Sequence, residues 1–222
     1  MKEEDPIPRQ LTTPRSAAIA GIIFSLMLGL ILTILRISIT ANPGQDGRWL
    51  TDPARGAWVD LAVNLVPFAG IAFLWFIGVL RDQIGLHEDK FFATVLLGSG
   101  LLFVAMMSVA GAIAGGLSGD ASTSGVTATT GSNMWTVDVR ITRLLLNIYA
   151  MRMAAVFMIS IATIALRTRV MPRWLAISGY ASAVVLLFSV SITPWLELLF
   201  PLWILLLSSQ ILRRSLASAP RS

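Results

Sequence analysis

Long runs without a charge constrain this chain more than any other feature. Residues 16–35, 61–80, 91–119 and 174–196 contain no Asp, Glu, Lys or Arg. A hydrocarbon core about 30 Å thick is crossed by ~20 residues of α-helix, and the helix satisfies its own backbone hydrogen bonds there. Only 13% of the 222 residues are charged and 55% are hydrophobic. Soluble domains carry about 25% charge, so too little is left here to cover a water-facing surface. A soluble globular domain is excluded.

The expected fold is all-α, a polytopic membrane helix bundle of about six transmembrane helices with both termini cytoplasmic. The spans are expected at about 16–36, 58–80, 91–115, 141–166, 174–192 and 194–212, forming one domain between tails 1–15 and 213–222. The last two are divided at Ser191-Ile192-Thr193-Pro194. Proline cannot continue a helix and suits the first turn of the next one. A re-entrant pair is the alternative for this final hairpin. The first run is read as an uncleaved span, because its apolar stretch is longer than a signal h-region and no clean A-x-A site follows.

Basic residues orient the chain, since cytoplasmic loops carry an excess of Lys and Arg. Lys2, Arg9, Arg15, Arg81, Lys90, Arg167, Arg169, Arg173, Arg213, Arg214 and Arg221 fall on one side. Arg36, Arg48, Arg55, Arg140 and Arg143 fall on the other. The larger set marks the cytoplasm. Trp49, Trp58, Trp135 and Trp195 then fall near the outer boundary, as an aromatic belt does. The net charge of +5 reads as topology and implies no nucleic-acid partner.

Other classes fall by absence of side chains. There is no cysteine, and the one histidine, His87, lies between two apolar runs. Thiolate metal sites, disulfides and cysteine nucleophiles are out, as are intramembrane His ligands and Ser–His catalysis. No cofactor or metal is implied. The external stretches 38–57 and 115–139 are rich in turn formers and in Ser, Thr and Gly. They read as external loops, the second as either a flexible connection or a substrate lid.

Two patterns carry the expectations about contacts. Small residues recur at every fourth position in the first span, at Ala17, Gly21, Ser25, Gly29 and Thr33, and again at Gly98, Ala105, Ala112 and Gly111-x-x-x-Gly115 in the third. Such faces let helix backbones approach closely. They serve either packing within the bundle or docking of a protein subunit or second copy. The remaining expected partners are membrane lipids.

Polar residues at membrane depth are the second pattern, because charges there are rare and are functional by default. Asp60 and Asn64 share a face of span two, Arg143 and Asn147 a face of span four, and Glu197 opens span six. At 100° per residue Arg152 falls opposite Arg143, with Tyr149 flanking it. A central Arg costs ~3 kcal/mol and each Leu, Ile, Val or Phe returns ~0.3–0.6 kcal/mol. The ten such residues at 144–166 therefore carry Arg152 in, and it is expected to face the bundle interior, a wet cavity or a carboxylate. Asp60, Asn64, Arg143, Asn147, Tyr149, Arg152 and Glu197 are expected to form an outer-half polar zone, either a ligand site or a set of structural ion pairs.

Arg152-Met-Ala-Ala-Val-Phe-Met158, the basic turn Arg167-Thr-Arg-Val-Met-Pro-Arg-Trp-Leu175 and Phe200-Pro-Leu-Trp203 resemble segments of uncharacterised bacterial multi-pass integral membrane proteins. The likeness covers about residues 140–214 and implies a protein of the bacterial inner membrane. Its motifs belong to no particular activity, so it carries no site residues. Three functions remain: an accessory or scaffold component of a membrane complex, a small transporter or lipid- and anion-binding permease, and an intramembrane enzyme using Asp60 or Glu197.

Overall fold

The computed structural model describes residues 14–40, 53–84, 90–123, 131–168, 171–188 and 194–217. Residues 1–13 and 218–222 of the tails, His87, and residues 41–52 and 124–130 of the external loops lie outside the described residues, while 115–123 and 131–139, expected as loop, are helical. The helices are α1 (Pro14–Thr40), α2 (Pro53–Ile84), α3 (Lys90–Thr123), α4 (Gly131–Leu144), α5 (Met151–Thr168), α6 (Arg173–Phe188) and α7 (Leu199–Ala217). A π-helical turn, Leu145–Ala150, joins α4 to α5 as one rod, and a 3-10 turn, Pro194–Leu198, leads into α7. Five rods are long and apolar enough to span a membrane: Arg15–Ser38, Gly56–Arg81, Phe91–Gly116, Val137–Thr168 and Trp195–Ala217. The sixth, α6, has 16 residues and is ~24 Å long, short of the ~30 Å core. Residues 189–192 of the expected fifth span lie outside the described set.

The rods form a ring in chain order. α1 packs on α2 and α7, α3 on α2 and α5, and α5 on α6, which meets α7 and closes the circle. The first and last rods end together: Arg15 Nε donates to Ser215 Oγ at 3.3 Å. The two ends of the helical region therefore share one side of the bundle.

Phenylalanine fills the axis. Phe24, Phe73, Phe103, Phe157 and Phe200 come one each from α1, α2, α3, α5 and α7, and all are fully buried. Phe24 and Phe73 lie 4.4 Å apart between centroids, Phe73 and Phe157 5.0 Å, and Phe103 and Phe200 5.0 Å. Most of these pairs are tilted or edge-to-face, the geometries that the ring quadrupole favours. The five rings sit 8–13 residues from Arg15, Arg81, Lys90, Arg167 and Arg213, which is ~12–20 Å along each helix, near the middle of the span. Beside them a crevice lined by Val66, Gly70, Val104, Met107 and Ser108 is too narrow to admit a water molecule.

Several hydroxyls within the spans bond to the carbonyl one turn back, as the cost of an unpaired polar group in hydrocarbon favours, whereas those of Thr142 and Ser208 are buried with no hydrogen-bond partner among the described residues. Ser25 bonds to Gly21 O, Thr33 to Gly29 O, Ser99 to Val95 O and Ser160 to Val156 O, all at 2.7–2.9 Å. Between helices, Thr163 and Tyr180 share a 2.6 Å hydrogen bond, and Trp203 Nε1 donates to Leu175 O at 3.1 Å. The second bond holds the Trp203 ring against Gly179, where an added Cβ would come within 2.7 Å of it.

The small-residue faces divide. Ala17, Gly21 and Ser25 are buried, and Gly21 receives Ser208 of α7 and Phe76 of α2. Gly111 and Gly115 receive Val66 and Val63 of α2. These positions serve packing inside the bundle. Gly29 and Gly98 have open space where a side chain would stand.

Candidate functional site

The residues expected to form one polar zone are dispersed, and a smaller cluster stands in its place. Glu197 is carried by the 3-10 turn at the head of α7 and is 5% exposed. The charge acting on it is that of Arg36, near the end of α1. Arg36 in turn feels Arg143 of α4. Both arginines are half-buried. Arg36 is thus within electrostatic reach of one carboxylate and of a second guanidinium carried by other rods, at the end of the bundle opposite Arg15 and Ser215. A buried carboxylate needs such a partner, because the cost of leaving water is offset only by opposite charge and hydrogen bonds. Beside Arg143, the Thr142 hydroxyl is buried with no hydrogen-bond partner among the described residues.

The other expected members point elsewhere. Asp60 and Asn64 are exposed on α2, where Asn64 Nδ2 donates to the Asp60 carbonyl at 2.8 Å. That is a bond within one helix turn. Asn147 is half-buried in the π turn. Asp60 and Glu197 are not brought together as an acid–base pair: one is exposed on α2, and the other faces Arg36 of α1.

Arg152 corrects the sequence-based expectation most clearly. Of its expected surroundings, the bundle interior is the one it does not have: it stands exposed with Tyr149, which is 56% exposed. The expectation rested on the cost of a charge against lipid, and that cost is lowered where a long side chain near the boundary carries its head to the interface. Met151 N–H donates to Leu146 O, five residues back, so a π turn lies just before Arg152. Phe157, Met158 and Ile161 take the inward positions of α5.

Arg36 is the residue that sequence reasoning missed. It was counted as a boundary cation at the end of the first run. The run continues beyond it through Ile37-Ser38-Ile39, and Ser38 is buried. A charge followed by further apolar residues is embedded, and that was the available signal.

Among the described residues no group of three or more His, Asp or Glu is placed to hold a metal ion. No protein-family model matches the chain, and no curated protein or solved structure matches it.

Proposed function

We propose that this membrane protein is an accessory or scaffold component of a bacterial inner-membrane complex, with both termini in the cytoplasm. The observation that carries the reading is the phenylalanine plug. Transporters typically hold a substrate site near the bilayer midplane, built from broken helices, polar side chains and free backbone groups. Here five buried rings occupy that level, and the crevice beside them excludes water. The polar cluster of Arg36, Arg143 and Glu197 lies at one end, away from that level. The positive-inside excess and the meeting of α1 and α7 at the Arg15–Ser215 contact support termini on the cytoplasmic side.

Purification from native membranes in mild detergent, with mass spectrometry of every co-eluting protein, tests the reading. A partner at fixed stoichiometry is the expected result. Elution of the folded chain by itself would overturn it.

A further inference from the structure

Arg152 and Tyr149 are one helical turn apart and both exposed, so they share one face of the rod. Neither contributes to the phenylalanine core or to the Arg36–Glu197 cluster. A guanidinium against lipid is costly unless an anion meets it. The described carboxylates do not provide one. Glu197 is buried and faces Arg36. Asp138 lies 14 residues earlier on the same rod, ~21 Å away by helix rise. Asp60 belongs to α2, which packs on α1 and α3.

Depth decides what can reach Arg152. It stands 15 residues from Arg167, ~22 Å along the helix. Across a core of ~30 Å this leaves about 8 Å to the boundary on the α4 side. Side chains on a helix lean toward its N-terminus, which here is the nearer boundary. A long arginine side chain spans most of that distance, with its stem in hydrocarbon and its head at the interface. Tyr149 lies one turn further toward the same boundary, at the level where Tyr and Trp concentrate. A planar, always charged fork of donors beside a phenolic hydroxyl matches the oxygens of a phosphodiester.

We propose that Arg152 and Tyr149 form a binding site for the phosphate of one phospholipid in the leaflet on the α4 side. The guanidinium takes the phosphate oxygens, the Tyr149 hydroxyl donates a further hydrogen bond, and the half-buried strip of Met153, Val156 and Ile159 on α5 below them lies alongside an acyl chain. The site is independent of the subunit reading, because it needs no protein partner.

The test is native mass spectrometry of the full chain in detergent, titrated with palmitoyl-oleoyl phosphatidylglycerol and, in parallel, with palmitoyl-oleoyl glycerol, which lacks the phosphate. One phosphatidylglycerol retained in preference to the neutral lipid is expected. Arg152→Ala should weaken that retention about ten-fold or more, from loss of charge-assisted hydrogen bonds, with Arg152→Lys recovering part of it. Tyr149→Phe should weaken it by a smaller factor. Arg173→Ala, a cation at the opposite end, should leave it unchanged, and inorganic phosphate should not displace the lipid. Circular dichroism and melting of each variant establish that it is folded. Equal retention by the folded Arg152→Ala variant would overturn the site, as would equal retention of the neutral lipid. Loss of a stoichiometric protein from Arg152→Ala, with lipid retention unchanged, would overturn it in favour of a carboxylate on a partner helix.

Discussion

The seam between α1 and α7 and the outer face of α3 carry the same kind of sequence and have opposite structural roles. Along α1, Ala17, Gly21 and Ser25 are buried, and 56% of its apolar window lies inside the bundle. In α3 the corresponding share is 28%, and Ala105, Ser108, Ala112 and Gly116 stand exposed beside the half-exposed Gly98. The faces that α1 and α2 turn outward are built differently, from Ile19, Ile23, Leu26 and Leu30, and from Phe68, Ile71 and Trp75. Large side chains there give lipid a continuous apolar surface. On α3 the small residues are interspersed with the exposed Leu101, Leu102 and Val109 and leave its backbone reachable between them. A stripe of small residues therefore states that a backbone can be approached, and leaves open by what.

The largest effect should come from closing the seam. A Cβ at Gly21 would run into the Ser208 hydroxyl and come within 2.8 Å of the Phe76 ring. Ser208 and Phe76 are both fully buried, so neither has free volume to retreat into. Gly21→Leu should cost about 3 kcal/mol or more, at the upper end of overpacking penalties. It should appear as a lowered melting temperature in detergent and loss of the folded monomer on size exclusion. A Gly21→Leu variant with unchanged melting would show the seam to be as open as α3.

The other end of the same seam is held by charge. Glu197→Ala removes the carboxylate that faces Arg36 and leaves a half-buried guanidinium without it. Breaking a fully buried pair costs about 3–5 kcal/mol, and partial exposure of Arg36 screens the interaction. A loss of about 2 kcal/mol is expected, read from thermal unfolding. Arg36→Leu combined with Glu197→Leu should recover most of it, because a neutral apolar pair of similar size removes the desolvation cost along with the attraction. If the double variant is as unstable as Glu197→Ala, the cluster holds the seam by shape and not by charge.

These two ends differ in how far the sequence exposed them. The helical class follows from charge-free runs and the length a bilayer demands, and the structure repeats it; of the six expected spans, five are long and apolar enough to cross. The phenylalanine plug was not legible, because Phe24, Phe73, Phe103, Phe157 and Phe200 sit in runs that are apolar on every side. Period alone cannot separate a lipid-facing ring from a central one there. The polar zone was only partly legible. Arg143 and Glu197 were singled out, but their link is Arg36, whose electrostatic interaction with Glu197 joins residues 161 positions apart in the chain. The exposure of Arg152 was not legible, because the cost of a charge in hydrocarbon argues for the interior only where the side chain cannot carry its head to the interface.

The smallest effect, and the one of opposite sign, belongs to the open face. At Gly98 an added Cβ meets nothing within 4 Å, so alanine enters without displacing a neighbour. Glycine inside a helix is destabilising by roughly 0.5–1 kcal/mol relative to alanine, through the backbone freedom it loses on ordering. Gly98→Ala should therefore raise the melting temperature of the isolated chain slightly, while Gly21→Ala lowers it. The pair uses one chemical change at two glycines, so differences in side-chain entropy or hydrophobicity cancel and the sign reports packing alone. Destabilisation by Gly98→Ala in the purified chain would mean that another surface already rests on α3, and the contrast between the two faces would disappear.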